Sequence, residues 1–262
     1  MPIKPIQSLG EAAVAPYRNL KDKELDRAGS RFIAEGENVV RRLLASTTPI
    51  ESVLVSNRKI SAIAPLCPPA LPVYSAADDL IESIIGFEFH SGVLACGIRP
   101  PNPDLSSLIP RPPLPALFTI CQEIINAENL GSLIRISAAF GAGAVILGER
   151  CCDPWFRQSV RVSMGAIFSL PIYRSENLVA DLRILRASEI MMIASVLDES
   201  AEPLDSIAPV ARFGVVFGSE AQGLDPATIA HCDRRVTIPM KLGTDSLNVA
   251  VAAGIFLHEL TR

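Results

Sequence analysis

From Ala116 onward, short runs dense in Val and Ile alternate with segments of helical period, and this alternation restricts the fold more than any other feature. "ALFTICQ", "GAVILG", "IMMIASV", "FGVVFGS" and "RRVTIPM" read as strands. "NLGSLIRISAAFG", "WFRQSVRVSMG", "ENLVADLRILRAS", a short stretch near "DPATIAHC" and a closing segment from about Ser246 read as helices. Strands joined through helices pair in parallel, and a parallel sheet needs cover on both faces. The expected fold is therefore α/β with a mostly parallel sheet. Ligands of such sheets bind beyond the carboxyl ends of the strands, so the loops that follow them are where chemistry is expected.

A second, smaller α/β pattern precedes it. "RFIAEG", "ESVLVS", "LPVYS" and "GVLACGI" read as strands, with "ENVVRRLLAS", "RKISAIAPL" and "AADDLIESII" as helices between them. Between the two patterns lies 100–115, with seven prolines in sixteen positions, a composition that disfavours helix and sheet and favours an extended spacer. The expected organisation is an N-terminal domain over 1–99, a linker over 100–115 and a second domain over 116–262.

Composition narrows the function classes. The chain has 262 residues, 49% of them hydrophobic, enough for real cores. It has no uncharged apolar run of about 18 residues, and its opening stretch lacks the apolar core of a secretory signal. A soluble, cytoplasmic protein without a membrane partner is expected. The six cysteines form no C-x-x-C pair and only three histidines accompany them, so reduced structural thiols are expected and no metal. The net charge of −4 provides no broad electrostatic case for nucleic acid. Residues 1–99 hold 11 basic and 11 acidic residues, so the deficit belongs to the rest of the chain. Local basic groups remain, at "YRNLKDKELDRAGSR" and at Arg41 with Arg42, and a solvated helix face explains them better than an RNA track does.

Three loops carry polar residues that structure alone does not require. In "NAENLGSLIR" (126–135), Asn129 can cap the helix, and Arg135 stands between Ile134 and Ile136, where an arginine either snorkels to solvent or is held for an anion. In "VVFGSEAQGL" (215–224), a β-branched strand ends on Gly218, with Glu220 and Gly223 after it. These glycines let backbone groups face a ligand, or serve a tight turn. In "VTIPMKLGTDSLNVAVAAG", a polar loop from Lys241 to Asp245 leads to a helix start at Ser246, with Asn248 in its first turn. Other chemistries lack a carrier. "GAGAVIL" precedes its strand and lacks the third glycine of a dinucleotide fingerprint, and neither a Walker A sequence nor a G-x-S-x-G elbow occurs.

The three loops, in this order, resemble the SpoU (TrmH-type) branch of the SPOUT superfamily of RNA methyltransferases. "ENLGSLIR", "VFGSEAQGL" and "IPMKLGTDSLNVAVAAGI" match its three motifs, and "RVSMGAIFSLPIY" matches the stretch between the first two. Upstream, "RFIAEGENVVRRLL" looks like the family's substrate-binding domain, a small α/β module similar to certain ribosomal proteins. One departure is Asn126-Ala127-Glu128, where the family commonly has Asp-Pro before its asparagine. The resemblance implies a deep trefoil knot in the second domain, a homodimer, S-adenosylmethionine as cofactor and transfer of its methyl to a ribose 2′-hydroxyl of RNA. It favours ribosomal RNA, with tRNA as the alternative substrate and an inactive RNA-binding protein as the alternative class.

By the same resemblance Asn129, Arg135, Glu220, Ser246 and Asn248 are the polar active-site positions, and Gly218, Ile238 and Leu247 hold the cofactor. A guanidinium, with a pKa above about 12, is a poor base, so Arg135 suits a phosphate or ribose anchor better. Arg41, Arg42, Arg157 and Arg161 are the expected RNA contacts, the last two being four apart on one helix face. For that pair an ion-paired surface competes. With one Trp and three Tyr, base stacking is scarce, so recognition should rest on RNA shape and phosphates.

Overall fold

The computed structural model describes residues 3–20, 30–241 and 246–262. The basic stretch at 21–29 and the polar loop at 242–245 lie outside the described residues. The chain divides into two compact units. One comprises the residues up to Pro101 together with Trp155–Phe168, and the other Asn102–Pro154 together with Ser169–Arg262.

The first unit contains β1 (Ile3–Pro5), β2 (Arg31–Glu35), α1 (Glu37–Leu44), β3 (Ile50–Ser56), α2 (Ile60–Ile63), β4 (Val73–Ala76), α3 (Asp78–Ile85) and β5 (Val93–Ile98). Its sheet has the order β1-β4-β3-β5-β2. β3 and β1 run parallel to β4, while β5 runs antiparallel to both β3 and β2. Ile33, Leu54, Leu94 and the Ile81, Ile84 and Ile85 face of α3 bury the core, with Tyr17 closing it. Burial raises the Tyr17 phenol well above its usual range, and its hydroxyl hydrogen-bonds to Ser52 Oγ at 2.8 Å. "RKISAIAPL" forms one α-helical turn flanked by 3-10 turns rather than a single helix, because Pro65 cannot supply the next amide.

The second unit begins with α4 (Leu105–Leu108), then β6 (Ala116–Cys121), α5 (Ala127–Ala139) and β7 (Ala144–Leu147). α6 (Arg157–Val162) follows in sequence but packs on β2 of the first unit. The chain returns through β8 (Ile172–Arg174), α7 (Leu178–Ala187), β9 (Met191–Ser195), β10 (Glu202–Pro203), β11 (Arg212–Phe217), α8 (Pro226–Ile229), β12 (Arg234–Thr237) and α9 (Val249–Leu260). All seven strands are parallel, in the order β10-β12-β9-β11-β6-β7-β8. The sheet core joins Phe118, Ile120, Ile146 and Val216 to Leu182 and Leu185 of α7.

Two expectations change here. The proline-rich segment is not simply an extended spacer: Asp104 caps α4, Leu105 is buried in the second unit's core, and Leu108 and Ile109 pack beside it. Asn102 adds a strand-like clamp, donating to Arg174 O at 2.9 Å and accepting from Arg174 N at 2.8 Å. Apolar Leu105, Leu108 and Ile109 outweigh the proline bias because burying them stabilises the segment against a core face. Residues 155–168, expected in the second domain, group with the first unit, where Trp155 and Phe168 stack near Phe32 at 4.8 and 5.7 Å. The edge strands β1, β8 and β10 are two or three residues long, too short to show a period of two.

The sheet order places the site. β11 lies between β6 and β9, so Phe217 pairs with Cys121 and Val216 with Ala194, while Val236 pairs with Ser195. The carboxyl ends of β6, β9, β11 and β12 therefore open on one edge. Strand order reverses between β6 and β11, the kind of position where a crevice forms. No helix among the described residues is long and apolar enough to cross a membrane.

Candidate active site

The loops after β6 and β11 are stapled together. Gln122 Nε2 donates to Asp225 Oδ2 at 2.7 Å, and Asp225 N donates back to Gln122 Oε1 at 3.1 Å. Cys151 Sγ accepts from Ile124 N and donates to Cys121 O, fixing the first loop from beneath. All six cysteines are unpaired. Burial pushes the Cys151 thiol up to about 11, and Cys96, Cys152 and Cys232 to about 12, which suits packing rather than nucleophilic roles.

Asn126, not Asn129, caps α5: its Oδ1 accepts from Glu128 N at 2.8 Å and Asn129 N at 3.3 Å. This is the position where the chain departs from Asp-Pro, and the asparagine still satisfies the helix amides. Asn129 is thereby released from capping. Its carboxamide donates to Glu220 Oε1 and accepts from Asn248 Nδ2 at 2.9 Å, and Asn248 Nδ2 also lies 3.5 Å from Glu220 Oε1. α9 begins later than the expected start at Ser246. It starts at Val249, and Asn248 is its cap, with Oδ1 accepting from Ala250 N at 2.9 Å. Ser246 precedes the helix, exposed. Asn248 thus uses its oxygen for the helix and its NH2 for the cluster. Three loops contribute one amide, one carboxylate and one amide to a connected group.

The motif containing Glu220 is a tight hairpin. Ser219 N donates to Gly223 O at 3.1 Å, Gly223 N to Ser219 O at 2.9 Å, and Gly223 has a φ of +67°. Gly218 packs under this hairpin with no room for a side chain. Beside it opens a cleft of about 560 Å³, lined by Gly218, Glu220, Ile238, Ser246, Leu247 and Asn248 among others. Its apolar walls are completed by Met240, Val249 and Phe256, whose ring meets Phe217 edge-on at 5.8 Å and ties α9 to β11. The loop after β9, which sequence reasoning passed over, adds Leu197 and Asp198, and β12 adds Arg235. The signal for the first two was available, since they follow a strand's carboxyl end.

Arg135 is not part of this group. Its side chain is exposed, pairs with none of the described residues and does not line the cleft. Asn129 and Arg135 are six positions apart, roughly 240° around a helix, so one face cannot present both.

A family model described as SpoU rRNA Methylase matches residues 116–258. The chain belongs to the SpoU rRNA methylase family. An uncharacterized tRNA/rRNA methyltransferase of Mycobacterium bovis is 36% identical over 91% of this SpoU chain and 83% of its own length. The 23S rRNA (guanosine-2′-O-)-methyltransferase RlmB of Acinetobacter baylyi is 31% identical over 79% of this chain and 85% of its own. Among solved structures, an AdoMet-bound rRNA methyltransferase from Sinorhizobium meliloti superposes with a TM-score of 0.83 at 25% identity. That match covers 98% of this chain and 97% of the other.

In the first unit of this SpoU protein, the four arginines expected at RNA differ in availability. Arg41 pairs with Glu37 at 2.8 Å and donates to Ala62 O at 3.1 Å. Arg157 pairs with buried Glu35 and lies 4.4 Å over the Phe87 ring, while Arg161 approaches Glu35 at 3.9 Å. The ion-paired explanation thus describes Arg41 and Arg157 well. Arg42 is exposed and donates to Met164 O at 2.7 Å, and Arg161 stays half-exposed.

Proposed function

We propose that this SpoU protein transfers the methyl group of S-adenosylmethionine to a ribose 2′-hydroxyl of ribosomal RNA. The observation that carries this reading is the hydrogen-bonded cluster of Asn129, Glu220 and Asn248 at the rim of a cleft walled by Gly218, Ile238 and Leu247. The lining suits the cofactor. Its volume is that of a nucleoside-sized ligand site, its walls are apolar, and Asp198 and Glu220 supply negative charge for a cationic ligand. When bound, the sulfonium supplies an already activated methyl, so the chain's task is alignment and proton removal.

Two amides fix Glu220 through one carboxylate oxygen, and the other, without a partner among the described residues, is placed to accept a hydrogen bond from the attacking hydroxyl. Ser246, exposed on the same cleft, is a second polar contact for the ribose. Arg135, without a partner among the described residues and outside the cleft lining, serves an RNA phosphate rather than taking the proton. Replacing Arg135 by lysine is expected to lower kcat/KM for RNA about tenfold or more while leaving cofactor affinity unchanged, because a point charge cannot reproduce the guanidinium fork. Mass-spectrometric mapping of ribose methylation on ribosomal RNA and tRNA, with wild type and this variant, tests both statements. Methylation of tRNA alone would move the substrate to the alternative, and full activity of the lysine variant would remove any need for guanidinium geometry.

The finer architecture is part of the proposal. By the family resemblance the second unit holds a trefoil knot, placed where β11 lies between β6 and β9 and α9 packs against α5. The first unit serves as the RNA-binding domain resembling a ribosomal-protein module, with Arg42 and Arg161 its more available cations. The protein works in the cytoplasm as a homodimer. The α9 stripe of Val251 and Ile255, 52% and 39% exposed with Gly254 beside them, is the apolar face a second copy would cover. Ile255→Asp would leave an unpaired charge in that interface, so it should weaken self-association by at least about a hundredfold. Sedimentation equilibrium checks this, and an unchanged dimer would locate the contact elsewhere.

A further inference from the structure

Three charged side chains occur among the described residues lining the cleft: Asp198, Glu220 and Arg235. Glu220 is committed to the Asn129–Asn248 cluster. Asp198 belongs to the loop after β9, where Oδ1 accepts from Ser200 N at 2.8 Å and Ser200 Oγ at 2.7 Å. Its other oxygen accepts from Arg235 Nη2. These contacts, with the Arg235 guanidinium beside it, hold the Asp198 carboxyl below its usual range, so it stays ionised. Arg235 projects from β12, where it pairs with Ala194 on β9, and its side chain is 50% exposed. The guanidinium has five N–H donors, and Asp198 is its partner among the described residues. Arg235 lines the cleft with its side chain half-exposed, so donors beyond the one bonded to Asp198 are open to a ligand.

This set matches the cofactor proposed above sign for sign. S-adenosylmethionine carries a sulfonium, an ammonium and a carboxylate, two positive groups and one negative. The described cleft lining carries two carboxylates and one guanidinium. A ligand carboxylate entering this cleft has Arg235 as its cationic partner there, and a planar fork held by Asp198 is pre-organised to receive it. We infer that Arg235, oriented by Asp198, binds the carboxylate at the amino-acid end of S-adenosylmethionine. Arg235 is then a binding residue that discriminates ligands bearing the amino-acid end from bare nucleoside thioethers, and Asp198 is its positioning residue. The inference rests on the reading of this cleft as the cofactor site. The competing explanation is an ion pair that only pins the loop after β9 to β12.

Two ligands separate the explanations. S-adenosylhomocysteine has the amino-acid end, whereas 5′-deoxy-5′-methylthioadenosine keeps the nucleoside and the sulfur and lacks it. Titration calorimetry on the full chain is expected to show Arg235→Gln weakening S-adenosylhomocysteine about tenfold or more, as for loss of a charged hydrogen bond. Methylthioadenosine should bind the same variant within about twofold of wild type, which also reports that the cleft has kept its shape. Arg235→Lys, keeping the charge and losing the fork, should fall between. Equal weakening of both ligands in Arg235→Gln would mean that the pair only shapes the cleft, and no weakening of either would mean that the carboxylate lies elsewhere; each overturns the inference. A wild-type protein that binds neither ligand would instead overturn the cofactor reading itself, and this inference with it.

Discussion

Glu220→Ala is expected to lower the single-turnover rate of methyl transfer to RNA by about 10²–10³-fold, the usual cost of removing one group aimed at a reacting centre. The folded state should barely notice. Glu220 is exposed, and among the described residues its side chain bonds to the Asn129 and Asn248 carboxamides, which water can satisfy once the carboxylate is gone. Asn248→Ala makes a useful contrast. It removes an amide from the same cluster and also the α9 cap, at a cost of about 1 kcal/mol in stability, so it cannot separate the two roles. Rapid-quench measurement with saturating cofactor, beside a thermal melt, checks the Glu220 result. A variant retaining more than about a tenth of the wild-type rate would remove this carboxylate from the chemistry.

Gly218→Ala has the largest expected effect on stability. A β-carbon at this position would lie 2.1 Å from Gly223 C, 2.3 Å from Gly223 O and 2.4 Å from Leu224 N. All three are backbone atoms, and the hairpin they belong to is closed by the two bonds between Ser219 and Gly223. No flexible side chain can yield, so the whole turn must shift away from β11. We expect a loss of about 3 kcal/mol in urea unfolding, at the upper end for overpacking by one methyl. The displaced hairpin carries Glu220 and one cleft wall, so affinity for S-adenosylhomocysteine should fall as well. A stability loss below about 0.5 kcal/mol would mean that the turn is looser than its hydrogen bonds indicate.

The alternation after Ala116 sufficed for a parallel α/β sheet, and three loops together with the family they resemble pointed to Asn129, Gly218, Glu220 and Asn248, as well as to Arg135 and Ser246. Locating them in sequence is a local problem of strand ends, turns and caps. Assigning them was harder. Asn126 and Asn129, or Ser246 and Asn248, are all good capping residues, and propensity cannot say which of two neighbours takes the helix amide and which is left free. Folding decided that Asn126 and Asn248 cap, and therefore that Asn129 faces the cluster.

Three features came only with the tertiary structure. Asn129 meets partners 91 and 119 positions away, because β11 enters the sheet between β6 and β9 and brings their carboxyl ends level. Arg157 finds Glu35 122 positions away, forming the ion pair that competed with an RNA contact for this residue. Asp198 and Arg235 become cleft residues because β9 and β12 are neighbours. Side-chain period tells a strand which faces to bury, and it holds no information about which strand lies beside it. In an all-parallel sheet no tight turn encodes the pairing, so strand order is settled by which helices and loops can cover the faces together.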